Sequence, residues 1–461
     1  MWGAAALGAS LAPSSAWAAS DALQGAAPAL AWGIPFAGLL LSIALLPLVV
    51  PHFWHHRMGL VAAGWVAALV LPEIVLQGFS GPAAEAWHAI LLEYLPFVTL
   101  LLALFTVGGG ILLTGGPWGT PAGNTLLLAV GTALAGVMGT TGVSMVLIHP
   151  LLRANAHRRR RVHIVVFFII LCANVGGATS PLGDPPLYIG FLQGVPFFWP
   201  LQNLTYPMVL IALPLLAGFW GYDAWCAARE PAPAERRALR LRGWPNVALV
   251  AIVVGEVIVQ GVWHPGGVVL FGQSIAIERL AGMGVFVAIA AISLRITPES
   301  VRNENLFTWA PMAEVGKLFL AIFITIAPVL DMLAAGAAGP AAPVFKLVHH
   351  ADGTPWPMAY LWATGLFSAF LDNAPTYLLF FQLAGNDADL LTGALNVTLR
   401  AIAGGAVFFG ALTYIGNAPT MMVRSIAAHR GIRMPGFFGY IGIAGALLLP
   451  LFGFLSYFVL G

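Results

Sequence analysis

Two carboxylates lie where a charge is expensive to keep. Asp184 falls in Gly183-Asp184-Pro185-Pro186 and Asp372 opens Asp372-Asn373-Ala374-Pro375-Thr376, each inside a long apolar stretch with no other Asp, Glu, Lys or Arg close by. A carboxylate among prolines and small residues can bind a hard cation such as sodium, or exchange a proton, through oxygen ligands. A structural role competes with this, because Asp at such a break also caps the backbone that follows it. Other oxygen-bearing side chains have matching spacing. Thr140, Thr141 and Ser144 precede Asp184, Asn373 and Thr376 stand beside Asp372, and Asn417 and Thr420 follow Asp372 at the same spacing to within one residue. Asn174 and Ser180 lie just before Asp184. Hydroxyl and amide oxygens are sodium ligands, and they are also ordinary helix-packing groups in membranes. The candidate ion-binding and proton-coupling set is therefore Asp184, Asp372, Asn373, Thr376, Asn417, Thr420, Thr140, Thr141, Ser144, Asn174 and Ser180, with sodium at the Asp184 and Asp372 motifs.

Further titratable groups compete for a proton-relay role. Glu256 is central in an apolar segment, and His149 follows the Thr140 motif, with a hydrogen bond to a carbonyl as its structural alternative. Glu73 and Glu93 can stay neutral and hydrogen-bonded in apolar surroundings. The cluster His52, His55, His56 and Arg57 reads as a solvated loop, and Cys172 and Cys226 as packing residues with no metal or disulfide spacing.

The elements that must position these residues follow from composition. Hydrophobic residues make up 59% of the 461 positions and charged residues 8%, which describes a polytopic membrane protein. Segments long enough to span fall near 32–50, 58–78, 87–107, 162–192 (broken at 183–186), 204–226, 245–263, 280–296, 314–334, 395–427 (broken at 416–419) and 436–460. The stretches 124–155 and 357–384 carry small and polar residues at their middles and read as re-entrant hairpins with tips at 140–144 and 372–376. Irregular backbone at membrane depth is tolerated only where it lines a cavity or is buried in protein. The fold expected is all-α and polytopic, with about 10–11 transmembrane helices, two re-entrant hairpins and two broken helices. Segment 108–123 is ambiguous.

Charge sets the orientation. Of the 20 Lys and Arg residues, all but Arg279, Lys346 and Arg400 fall on one side of this layout, so that side is cytoplasmic and the N-terminus periplasmic, as in a bacterial inner membrane. The hairpins then enter from opposite faces, and the chain reads as two inverted repeats, 27–243 and 244–461. Residues 1–26 read as a signal peptide remnant and periplasmic tail: Ala16-Trp17-Ala18 has a small-x-small cleavage pattern, but no basic residue precedes it.

The run from Ala173 through Asn174, Val175, Gly176, Gly177, Ala178, Thr179, Ser180, Pro181, Leu182 and Gly183 to Asp184, and the run Leu371-Asp372-Asn373-Ala374-Pro375-Thr376, resemble the motifs of NhaD-type sodium/proton antiporters in the ion transporter superfamily. Pro185-Pro186-Leu187-Tyr188-Ile189-Gly190-Phe191 and Asn373-Ala374-Pro375-Thr376-Tyr377 are similar to a branch labelled both sodium:proton antiporter and citrate transporter. The resemblance runs from Pro35 onward and implies eleven spans, two opposed hairpins and a homodimer.

No phosphate loop and no nucleophile motif is present, which disfavours ATP-driven transport and an enzyme. The reading is a secondary transporter without cofactor or nucleic-acid partner that exchanges sodium or lithium for protons by alternating access. The alternative is a sodium- or proton-coupled carrier of citrate, another organic anion or a metal–citrate complex. Two acidic groups and no Lys or Arg in the motifs favour the first.

Overall fold

A computed structural model describes residues 30–116, 118–230 and 238–459. The expected leader and tail, residues 1–26, and the basic pair Arg236 and Arg237 lie outside them. The chain is an all-α polytopic membrane protein: among the described residues eight helices are long and apolar enough to cross a bilayer, nine if Ala310–Thr325 and Ala327–Ala334, bent by 42°, form one span. Trp244–Gln260, Pro357–Leu371 and Asn396–Leu412 are shorter apolar helices.

One of the long helices does not cross. Pro121–Ala154 reverses at Gly139, whose φ of 78° and ψ of 150° suit a residue without a Cβ. A straight helix of 34 residues would separate its ends by about 50 Å. Here the ends touch, with Asn124 donating to Asn155 at 3.0 Å. Pro357–Leu371 and Asn373–Leu383 form the second hairpin, closed by ring contacts of Phe380 with Tyr360 and Phe367. The reversal there is Asp372, with φ 74° and ψ 144°.

The open ends of the two hairpins lie far apart. The long helix Trp199–Ala227 runs between them: Trp199 donates to Asn396, which opens the helix packed along Pro357–Leu371, while Asp223 accepts from Asn124 at the base of the first hairpin. Those two positions are about 36 Å apart along the helix axis. The hairpins therefore approach one another from opposite ends of the molecule. Asp223 also pairs with the buried Arg158, which donates in turn to Gly119 O, so the base of the first hairpin is fastened by a buried ion pair.

Equivalent contacts recur at an offset of 233 residues, the separation of Asp184 and Asn417. Ser180 Oγ donates to Gly136 O, and Thr413 Oγ1 donates to Ala369 O. Gly177 packs on Gly183 as Gly410 packs on Gly416, each leaving no room for a Cβ. Size is exchanged across two equivalent contacts. Gly131 faces the Cys172 sulfur where the second half has Thr364 facing Gly405, and Gly176 faces Thr132 where the second half has Phe409 over Gly365. One partner is always glycine, because the two segments run too close for two side chains.

Several expected boundaries change. The motif frame shifts by one: Gly139, not Thr140, is equivalent to Asp372, because the offset is set by the backbone reversal. The breaks are longer than 183–186 and 416–419. The first runs from the end of Val162–Leu171 to the start of Pro185–Leu192, and the second from Phe409 to Ala418, because the glycine contacts pull both segments out of helical geometry. Among its described residues, segment 108–123 shows no further span. Leu112–Thr114 pairs as a short strand with Arg240–Arg242.

These contacts predict opposite effects of one substitution at two glycines. A Cβ at Gly131 would lie 2.6 Å from the Cys172 sulfur, whereas Gly64 has open space around it. Gly131→Ala should cost about 1–3 kcal/mol by overpacking. Gly64→Ala should instead stabilise its helix by about 0.5–1 kcal/mol. Thermal unfolding of the detergent-solubilised protein checks both signs.

Candidate functional site

The two hairpin tips and the two breaks converge on one side chain. Asp184 ends the first break and is 1% exposed. Its Oδ1 accepts from Asn417 Nδ2 at 2.9 Å and from Thr140 Oγ1 at 3.3 Å, and its Oδ2 accepts from Asn373 Nδ2 at 2.6 Å. The donors come from the second break, the first tip and the second tip. Thr140 N also donates to Gly183 O at 2.9 Å, so the tip is tied to the break by backbone as well. Three donors on one carboxylate suit its ionised form, and they offset part of the cost of holding a charge at this depth.

Pro185 forces the chain at Asp184 out of the α region, and the extended backbone there (φ −145°, ψ 143°) starts the next helix. Asn417 stands likewise before Ala418-Pro419, at φ −156° and ψ 136°. Carboxylate and amide thus occupy equivalent positions and bond to each other across the pseudo-symmetry.

The remaining candidates divide by position. Asn174 Nδ2 donates to Ile169 O at 2.8 Å and to Thr420 Oγ1 at 2.9 Å, joining the first break to the helix Ala418–His429. Asp372 accepts from Ala374 N at 3.2 Å and caps the second tip helix, and Thr376 Oγ1 returns to Asp372 O at 2.7 Å. Asp372 holds a backbone conformation nearly reserved for glycine, a strain on the order of 1–3 kcal/mol. Ser180 spends its hydroxyl on Gly136 O and Leu182 N. Thr141 lines the cavity described below.

Glu256 and His149 stand apart from this centre. Glu256 lies on Trp244–Gln260, beside Gly282, and His149 Nε2 meets Asn305 O at 3.1 Å near the far end of the first hairpin. The carbonyl bond is thus the contact His149 makes. Among the described residues no group of three or more His, Cys, Asp or Glu side chains could hold a metal ion.

Three buried oxygens of the set have no hydrogen-bond partner: Asn373 Oδ1, Asn174 Oδ1 and Ser144 Oγ. Unpaired buried acceptors are costly, and a hard monovalent cation would satisfy them. Beside the first tip and Asp184 opens a cavity of about 80 Å³, walled by Phe97, Leu104, Phe105, Tyr188 and Met312 among others. The sequence reading missed Gly139, and it missed Ala173, whose carbonyl accepts from Asn417 Nδ2 at 3.2 Å. Only the 233-residue offset could have found Gly139, since glycine has no side chain to mark it.

The family described as "Putative citrate transport" matches residues 25–460, nearly the whole chain, and the chain belongs to it. No curated protein matches the chain significantly.

Exchanging carboxylate and amide tests the pairing of Asp184 with Asn417. Asp184→Asn leaves donors facing a group that can accept from fewer of them, and Asn417→Asp sets two carboxylates against each other. Each should cost about 1–3 kcal/mol. The double variant restores one charge and one amide, so it should recover part of the sum, with a coupling of about 0.5–3 kcal/mol in thermal unfolding. Strict additivity would mean that the two side chains do not interact.

Proposed function

We propose that this membrane transporter is a cation-coupled carrier of citrate or a related organic anion, in which a sodium ion or a proton engages the Asp184 carboxylate. The observation that carries the reading is the convergence on Asp184 of donors from both tips and the second break, among them Asn373, whose own Oδ1 has no hydrogen-bond partner. A site assembled from both halves changes when either half moves, which is what alternating access requires. In this reading residues 27–243 and 244–461 are the two inverted repeats, sodium and protons are cargo, and Thr140, Thr141, Asn417 and Thr420 complete the shell. The protein acts as a homodimer in the bacterial inner membrane with its N-terminus periplasmic.

The family description supports the anion, and the acidic centre supports the coupling cation. A second reading, exchange of sodium for protons without an anion, is favoured by one observation: the charged residues of the four motifs are Asp184 and Asp372, with no Lys or Arg among them.

Uptake of labelled citrate into proteoliposomes separates the two. The carrier reading expects an inward sodium gradient to accelerate citrate uptake. It also expects the apparent sodium constant to rise as pH falls, by up to about tenfold per unit, because a proton removes the charge that binds the cation. Sodium-driven proton movement at full rate with citrate absent would establish the exchange reading instead.

A further inference from the structure

The sequence motifs contain no basic group that could meet an anion, yet the fold brings one close. The helix Ala418–His429 begins at the site residue Asn417, and Arg424 lies seven residues on, on the same helix face and about 10 Å along the axis. Its guanidinium lies over the Tyr414 ring, 4.5 Å from the centroid. Tyr414 belongs to the second break, is fully buried, stacks on Tyr440 and is fastened by its hydroxyl to Pro435 O. The ring is thus a fixed platform, and it holds the cation beside the broken segment that ends at Asn417.

Arg424 makes no hydrogen bond and no ion pair among the described residues, although it is only partly exposed. It lines a cleft of about 850 Å³, together with Trp54, His55, Glu314, Met421 and Arg433. The cleft adjoins the cavity at Asp184. The same two helices wall both, with Met421 and Glu314 on the cleft and Met422, Met312 and Val315 on the cavity. Two arginines, Arg424 and Arg433, against one glutamate, Glu314, leave the cleft cationic.

The repeat offset makes this pair a departure from symmetry. The positions equivalent to Arg424 and Tyr414 are Phe191 and Pro181, so the first half has neither cation nor platform. Packing common to the two halves therefore does not require the arginine. An unpaired guanidinium in a membrane protein is costly to retain without a partner, and its planar fork matches a carboxylate in a bidentate pair.

We propose that Arg424, held on Tyr414, is the anion-recognition residue, binding one carboxylate of a di- or tricarboxylate in the cleft between Ala310–Thr325 and Ala418–His429. This rests on the carrier reading and names the residue that would select its anion. The bound carboxylate neutralises Arg424, and the rest of the anion extends toward the cavity beside Asp184.

The test is citrate uptake by the full chain in proteoliposomes, with sodium varied independently. Arg424→Gln should raise the KM for citrate by about tenfold or more, the loss expected for a charge-assisted contact, and leave the apparent sodium constant at saturating citrate unchanged. A Gln variant that melts like the wild type and keeps the wild-type citrate KM would overturn the assignment while leaving the carrier reading intact. Wild-type protein that shows no saturable citrate uptake would remove both. If Arg424→Gln fails to fold, Arg424→Lys decides: a citrate KM several-fold higher, with the sodium constant at saturating citrate unchanged, supports a bidentate contact, and an unchanged KM overturns it.

Discussion

A single buried carboxylate governs how the rest of the molecule is arranged. Asp184 is buried inside the protein, where an unsatisfied charge is costly, and its three donors are delivered by three separate irregular segments. Thr140 can reach it only because the first hairpin reverses at Gly139, and Asn373 only because the second reverses at Asp372. Asn417 reaches it because the second break ends before Ala418-Pro419. Each irregularity would be a defect in an uninterrupted span. Together they satisfy one another, and the backbone groups they free lie inside protein rather than lipid.

Near-symmetry supplies the frame, and its violations supply the chemistry. The glycine contacts Gly177–Gly183 and Gly410–Gly416 set equivalent breaks, and the exchanged pairs Gly131–Cys172 and Thr364–Gly405 keep the same close approach with the bulk on opposite partners. At the centre the two halves differ where charge is concerned. Asp184 faces its counterpart amide Asn417, and Asp372 occupies the conformation that Gly139 adopts without strain. Two equivalent carboxylates bonded face to face would repel at this depth, so one acid and one amide is the arrangement the dielectric allows.

The sequence made some of this legible and concealed the rest for physical reasons. Hydropathy alone identified an all-α polytopic protein, because apolar segments of span length have few other uses. Prolines after Asp184 and Asn417 marked where helices restart. The extent of the breaks was hidden, since Ala173 to Leu182 is mostly small residues within an apolar segment and reads as helix until the contact of Gly177 with Gly183 is known. The strand Leu112–Thr114 depends on a partner more than a hundred residues away, for which a local pattern holds no signal. The shift of frame from Thr140 to Gly139 arose because polar side chains catch the eye and a reversal does not. Arg424 entered only as one of the basic residues on the cytoplasmic side, and its position on the face of Asn417 emerges from the helix register.

The most direct test of the central role given to Asp184 is equilibrium binding of radioactive sodium to the purified protein, measured with and without citrate. The wild type should bind sodium saturably, and citrate should tighten it, because ligands of one coupled site raise each other's affinity by the same factor. Asp184→Asn should lose both the binding and the citrate effect. Sodium binding of wild-type affinity in Asp184→Asn would contradict the account.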